Sequence, residues 1–168
     1  MKLLEKLFPD THRKNIYEID YKEMYDKGYK AILFDIDNTL TTHGTVADRS
    51  NIEFFKKLRK IGFKTCLISN NKEERVLPFA QTVDSPYIYK ANKPSKRGYK
   101  KAMELLEVKD TQTAFVGDQI FTDILGANNA GIYSILVDPI NPREEIQIVI
   151  KRYFEKIVLF FYYRKILL

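Results

Sequence analysis

Apolar positions along this chain fall into short runs separated by amphipathic stretches. Residues 29–35 contain Ala31, Ile32, Leu33 and Phe34 in succession and then break into turn-forming residues. A short apolar run bounded in this way reads as a fully buried strand. The same pattern recurs at residues 63–69, 87–90, 113–118 and 132–137. Between the runs, residues 51–61 place Ile52, Phe55 and Leu58 on one helical face and stop at Gly62. Further helices are expected at 21–27 (stopped by Gly28), 72–80, 95–106, 121–130 (closed by Gly131) and from Arg143 onward. Strands alternating with helices predict an α/β fold: a three-layer, Rossmann-like parallel sheet of five strands with helices on both faces. Residues 1–28 read as an amphipathic helical prelude whose Leu3, Leu4, Leu7 and Phe8 cover apolar surface. Residues 29–142 read as the core, and 143–168 as a basic, aromatic helix of the same domain.

Composition narrows the classes. At 168 residues, 45% hydrophobic and 30% charged, the chain has apolar material for one sizeable core and is not of disordered composition. The formal net charge of +6 favours anionic partners: a phosphorylated substrate, anionic lipid or nucleic acid. No nucleic-acid reading motif is present, so nucleic acid is not expected. The single cysteine, Cys66, lies in an apolar run as a core residue, so no internal disulfide forms and a reducing compartment fits. Charges at Lys2, Glu5 and Lys6 fall where a signal peptide needs its apolar stretch, and no run of about 18 apolar residues exists to span a membrane. The expected location is the cytoplasm, with peripheral contact at the inner membrane surface.

Chemistry gathers at the ends of the apolar runs. Asp35 and Asp37 close the first run with one residue between them, and residues i and i+2 of a strand point to the same side. Two such carboxylates repel unless they share a proton or hold a cation between them. Alone, the pair also fits a capping turn; an EF-hand does not fit, since its spaced oxygens and glycine are missing. Ser69-Asn70, Lys93 and Asp118 stand at or just past the ends of three other runs. In a parallel sheet all these ends share one edge. Singly, Ser69-Asn70 is a loop, Lys93 a solvated lysine before a proline, Gly117-Asp118 a turn, and Asp123 a helix N-terminal charge. Together they supply oxygen ligands for Mg²⁺ from Asp35, Asp37 and Asp118, a hydroxyl and backbone N–H groups for a phosphate, and a compact cation for a transferring phosphoryl group. Asp123 could hold a metal-bound water or orient Lys93.

In this order the residues resemble the haloacid dehalogenase (HAD) superfamily. Asp35-Ile-Asp37-Asn-Thr39 matches its DxDxT motif, Ser69 the second motif, Lys93 the third, and Gly117-Asp118-Gln-Ile-Phe-Thr-Asp123 the acidic fourth. The prelude and the short chain resemble subfamily IIIA, in its YqeG-like branch related to phosphatidylglycerophosphate phosphatases. The resemblance implies Mg²⁺-dependent phosphomonoester hydrolysis through an aspartyl-phosphate: Asp35 as nucleophile, Asp37 as general acid and then base, and Lys93 as the charge-neutralising cation. It also implies phosphate contacts from Ser69, Asn70, Lys93 and Thr39, and a metal site of Asp35, the Asp37 carbonyl and Asp118 supported by Asp123.

Positions 38–68 and 70–92 are filled by core elements, so no cap domain is expected over the site. An open site admits a lipid head group or a phosphate on a macromolecule. The C-terminal helix interleaves Tyr153, Phe154, Ile157, Phe160 and Phe161 with Lys151, Arg152 and Lys156, a composition suited to an anionic membrane surface. Packing on the sheet or contact with a second copy of the chain is the other expectation for it. The first reading is a phosphatase of phosphatidylglycerophosphate. The others are a phosphatase of a soluble ester or phosphoprotein, and a low-turnover regulatory module on the same fold. His43 reads as an exposed loop histidine.

Overall fold

The computed structural model describes residues 3–141 and 146–166. Six parallel strands form one sheet in the order β1-β6-β5-β2-β3-β4: β1 Thr11–Arg13, β2 Ala31–Phe34, β3 Lys64–Ile68, β4 Tyr87–Ile88, β5 Thr113–Gly117 and β6 Tyr133–Val137. The α-helices among the described residues are α1 Tyr21–Asp26, α2 Arg49–Ile61, α3 Glu73–Val83, α4 Lys96–Leu106, α5 Leu125–Ala130 and α6 Ile146–Ile166. The expected five strands are all present, and the correction is a sixth, β1, inside the prelude. It pairs Thr11 with Ile135 and Arg13 with Val137 at the sheet's edge. Thr-His-Arg has no apolar run to announce it, because an edge strand of three residues buries little on either face. The prelude is thus partly sheet rather than wholly helical. The expected helix start at Arg143 lies outside the described residues, as do the side chains of Leu3, Ile146 and Val149.

The pleat sorts the core. Ile32 and Phe34 of β2 face one layer with Phe54, Phe55 and Leu58 of α2 and Phe79 of α3. Ala31 and Leu33 face the other, with Tyr99 and Ala102 of α4 and Ala127 of α5. Every residue of β2 is buried, the pattern of a parallel strand covered on both sides. Helix boundaries follow local rules. Asp48 caps α2 by accepting from Asn51 N at 3.0 Å, Asn51 returns the bond to Asp48 N at 3.0 Å, and Gly62 ends the helix at φ +115°.

A third cluster joins Ile120, Ile124 and Leu136 to Val158 of α6, with Leu7 and Phe8 of the first turn packed on it. His12 of β1 bonds both Asp138, at 2.8 Å, and Tyr163 of α6. The C-terminal helix therefore packs on the fold with Glu155, Val158 and Tyr162 buried, while Tyr153, Phe154, Ile157, Phe160 and Phe161 remain exposed.

Candidate active site

The chemistry gathers where β2, β3 and β5 end and in the loop that follows β4. Asp35 N donates to Val116 O at 3.0 Å, which extends the ladder one residue beyond β2 and fixes the Asp35 carboxylate at the sheet edge. The chain then turns sharply: Asn38 adopts φ +63°, a conformation asparagine tolerates, and Leu40 N donates to Ile36 O at 2.9 Å. The turn delivers Thr39 inward. Its hydroxyl donates to Asp118 Oδ1 at 3.1 Å and reaches Asp35 Oδ2 at 3.5 Å, so it braces the two carboxylates.

Lys93 is 7% exposed, far from the solvated lysine that its sequence context alone suggests. Its ammonium lies 2.6 Å from Asp35 Oδ1 and 2.6 Å from Asp123 Oδ1. Asn70 locks the loop that carries it. Lys93 N donates to Asn70 Oδ1 at 2.6 Å, and Asn70 Nδ2 donates to Lys93 O at 3.1 Å. The Asn70 side chain thus positions Lys93. Ser69 is buried, and its hydroxyl oxygen accepts from Asn71 N at 3.1 Å.

Asp35, Asp118 and Asp123 each present a carboxylate oxygen, all within 4.8 Å of one another, and all three residues are buried. Asp123 is seated in the five-residue π-helical stretch Ile120–Ile124, where its Oδ2 accepts from Gln119 N at 3.0 Å. Gly117 makes room for it, since a Cβ there would stand 2.6 Å from Asp123 Oδ2. Burial is the main cause pushing the Asp35 carboxyl up to about 7; the Asp123 and Asp37 charges add to it, and Lys93 opposes it. Burial also raises Asp118 well above the carboxylate range, with the Asp123 and Asp35 charges adding and Arg152 opposing. For Lys93 burial acts downward, but the charges of Asp123 and Asp35 outweigh it and hold the ammonium protonated. Fully ionised, these three carboxylates would exceed the charge of Lys93, so the metal-free site holds protons that a hard cation bound to the same oxygens would displace.

Asp37 is held apart from this cluster. Its Oδ1 accepts from Arg75 Nη2 at 2.7 Å and Gly44 N at 3.1 Å, and its Oδ2 from Asn71 Nδ2 at 2.6 Å. The exposed His43 ring approaches with Nδ1 3.8 Å from Asp37 Oδ1. The Asp37 carboxylate is thus turned toward α3.

The structure brings together Asp35, Thr39, Ser69, Asn70, Lys93, Asp118 and Asp123, with Asp37 at the margin. Four contributors escaped sequence reading. Asn71 and Arg75 hold Asp37. Arg152 of α6 donates to both the backbone carbonyl and the carboxylate of Asp118. Glu155 completes this strap: it accepts from Arg152 at 2.9 Å and from Ile120 N at 2.7 Å. The repeated asparagine in Ser69-Asn-Asn71 was the available signal for Asn71; arginines on amphipathic helices carry none.

A family model described as a haloacid dehalogenase-like hydrolase matches residues 43–131, a span that includes Ser69, Lys93, Asp118 and Asp123. The chain is 38% identical over 144 residues to the "Probable phosphatase YqeG" of Bacillus subtilis (strain 168), covering 82% of this chain and 81% of that protein. It is 25% identical over 156 residues to "Phosphatidylglycerophosphate phosphatase 1, chloroplastic/mitochondrial" of Arabidopsis thaliana, an overlap of 85% of this chain and 44% of the plant protein. Among solved structures, an uncharacterized protein from Listeria monocytogenes serotype 4b shares the fold with a TM-score of 0.54 at 22% identity, over 69% of this chain and 85% of that one.

Proposed function

This chain belongs to the haloacid dehalogenase-like hydrolases, and from that premise we propose that it is a phosphatase that hydrolyses a phospholipid monoester of the phosphatidylglycerophosphate type. The observation that carries the chemistry is the Lys93 ammonium bridging Asp35 and Asp123 beside Asp118. A carboxylate at a strand end, neutralised by a buried lysine, is a nucleophile prepared for an anionic electrophile.

In the first half-reaction an Asp35 carboxylate oxygen attacks phosphorus. The ester P–O bond breaks, and the leaving oxygen takes its electron pair and a proton from Asp37. Lys93 offsets the charge on the transferring group, and Ser69 with the N–H groups after it binds the phosphoryl oxygens. In the second half, Asp37 takes a proton from water as the water attacks phosphorus. The bond to Asp35 breaks, inorganic phosphate leaves, and both carboxyl groups return to their starting states.

The buried oxygens of Asp35, Asp118 and Asp123, which outnumber the cations of Lys93 and Arg152, fit a divalent ion, and a set of hard oxygen donors suits Mg²⁺. Such an ion would supply charge neutralisation for an anionic substrate approaching an anionic nucleophile. The Asp37 carboxylate takes no place in this set, so only its backbone carbonyl remains as a ligand.

Two features support a lipid substrate. The spans 38–68 and 70–92 hold only core elements, so the site is uncapped among the described residues. The outer face of α6 presents Tyr153, Phe154, Ile157, Phe160 and Phe161 with the exposed cations Lys151, Lys156 and Arg164, and α6 reaches the site through Arg152. No helix among the described residues is long and apolar enough to cross a membrane, so such a helix would lie on an anionic surface. The test is phosphate release from phosphatidylglycerophosphate in mixed micelles, against p-nitrophenyl phosphate, with Mg²⁺ or EDTA. Metal-dependent release far faster from the lipid supports the proposal. Release from the soluble ester alone keeps the chemistry and rejects the lipid.

A further inference from the structure

The Asp37 side of the site holds an arginine that is only partly used. Arg75 sits in the first turn of α3 and donates to Asp37 from Nη2 alone, at 2.7 Å. Its Nε is buried with no hydrogen-bond partner among the described residues. A guanidinium offers five donors, and a buried one without an acceptor costs free energy, so arginines dedicated to a carboxylate usually engage it through two nitrogens. Asp37 does not depend on this bond for its placement, since Asn71 at 2.6 Å and Gly44 N at 3.1 Å already hold it. The Arg75 side chain is 21% exposed, so it reaches both the carboxylate and solvent.

Its location follows from the chemistry. In the reading above, Asp35 attacks phosphorus from one side and Asp37 delivers a proton to the oxygen that departs. The group attached to that oxygen must leave past Asp37, and the residues around Asp37 are Arg75, Asn71 and His43. Of these three, Arg75 is the one that carries a permanent positive charge for an anion on the leaving group.

We infer that Arg75 forms a second anion subsite, which binds a phosphate-type negative charge carried by the leaving group and so selects esters that bear two anions joined by a short spacer. This inference rests on the phosphomonoesterase reading and names the substrate class within it. On binding such a substrate, Arg75 shares its guanidinium between Asp37 and the second anion, through the part of the side chain that solvent reaches. A phosphodiester linked through glycerol to the scissile phosphate has this chemistry, as does a soluble bisphosphate.

The test uses full-length protein with Asp35→Asn, so that ligands bind without turnover, and calorimetric titration in the presence of Mg²⁺. The ligands are glycerol 3-phosphate, with one phosphate, and the deacylated headgroup glycerophosphoglycerophosphate, with a monoester and a diester. A third arm with glycerol 1,3-bisphosphate separates a requirement for the diester from a requirement for any second anion. The expected result is at least about tenfold tighter binding of the two-anion ligands than of glycerol 3-phosphate. Adding Arg75→Gln should reduce that preference to about twofold or less, whatever the variant does to the affinity for glycerol 3-phosphate. If Arg75→Gln does not fold, Arg75→Lys answers in its place, with the preference cut at least about threefold. A preference that survives either substitution, or none in protein with Arg75 intact, overturns the assignment. Loss of binding to neither ligand class in particular but to both from the outset would instead refute the phosphate site itself, and this subsite with it.

Discussion

Arg152, near the start of α6, grips Asp118 by its backbone carbonyl and its carboxylate at once, across 34 residues of sequence. The Asp118 side chain is 0% exposed and that of Arg152 is 17% exposed. A helix whose outer face is apolar and aromatic is thereby tied to one of the carboxylates of the acidic cluster. Burial and two neighbouring carboxylates leave Asp118 in need of a cation, and Arg152 supplies it.

Removing that cation has a defined cost. Arg152→Gln should destabilise the metal-free protein by about 3 kcal/mol, because breaking a buried pair strands the remaining charge. Mg²⁺ should recover much of the loss by taking over the neutralisation of Asp118. Thermal unfolding with and without Mg²⁺ checks this: the rise in Tm on adding metal should be larger in the variant than in the wild type. Equal rises would mean that Arg152 is not acting as the counter-charge.

Gly117→Ala tests the fit at the end of β5. The new Cβ would stand 2.6 Å from Asp123 Oδ2 and 2.7 Å from its Cγ, closer than van der Waals contact allows. Asp123 must shift, and Lys93 then loses one of its two carboxylate partners. The expected outcome is a loss of roughly 1–3 kcal/mol in stability and roughly 100-fold in kcat, read by thermal unfolding and steady-state kinetics. Unchanged kcat would show that Asp123 does not position Lys93.

The raised Asp35 carboxyl makes metal-free stability depend on pH. The folded protein keeps this proton up to about pH 7, whereas the unfolded chain releases it near the ordinary value of about 3.9. Between those values the folded state binds more protons than the unfolded state, so stability falls as pH rises. Asp35→Asn removes this dependence. The stability of the variant relative to wild type should increase by on the order of 3 kcal/mol from about pH 4.5 to about pH 7.5, measured by urea unfolding in EDTA. A difference that stays flat across that range would contradict the buried-carboxyl assignment.

Much of this architecture was legible because the determinants are local. The apolar runs marked β2 to β6, and the motif residues Asp35, Ser69, Lys93 and Asp118 follow those runs, so a parallel sheet had to bring them to one edge. The strand Thr11–Arg13 was hidden because its three polar residues gain their place only from pairing with β6. Arg75 and Arg152 were hidden for a related reason. Each lies on a helix, 38 and 34 residues from the carboxylate it holds, and no spacing rule connects such pairs. Of the expectations for the C-terminal helix, packing on the fold is what the structure describes, through Glu155, Val158 and Tyr162, while Phe154, Ile157 and Phe160 face outward.

The proposed chemistry rests on Asp35 carrying the phosphoryl group, and acid-quenched mass spectrometry on protein mixed with substrate and Mg²⁺ tests it most directly. The predicted result is a phosphoryl adduct on the peptide containing Asp35. It should be absent in Asp35→Asn. Phosphate release by the wild type with no adduct at Asp35, or an adduct on another residue, would contradict it.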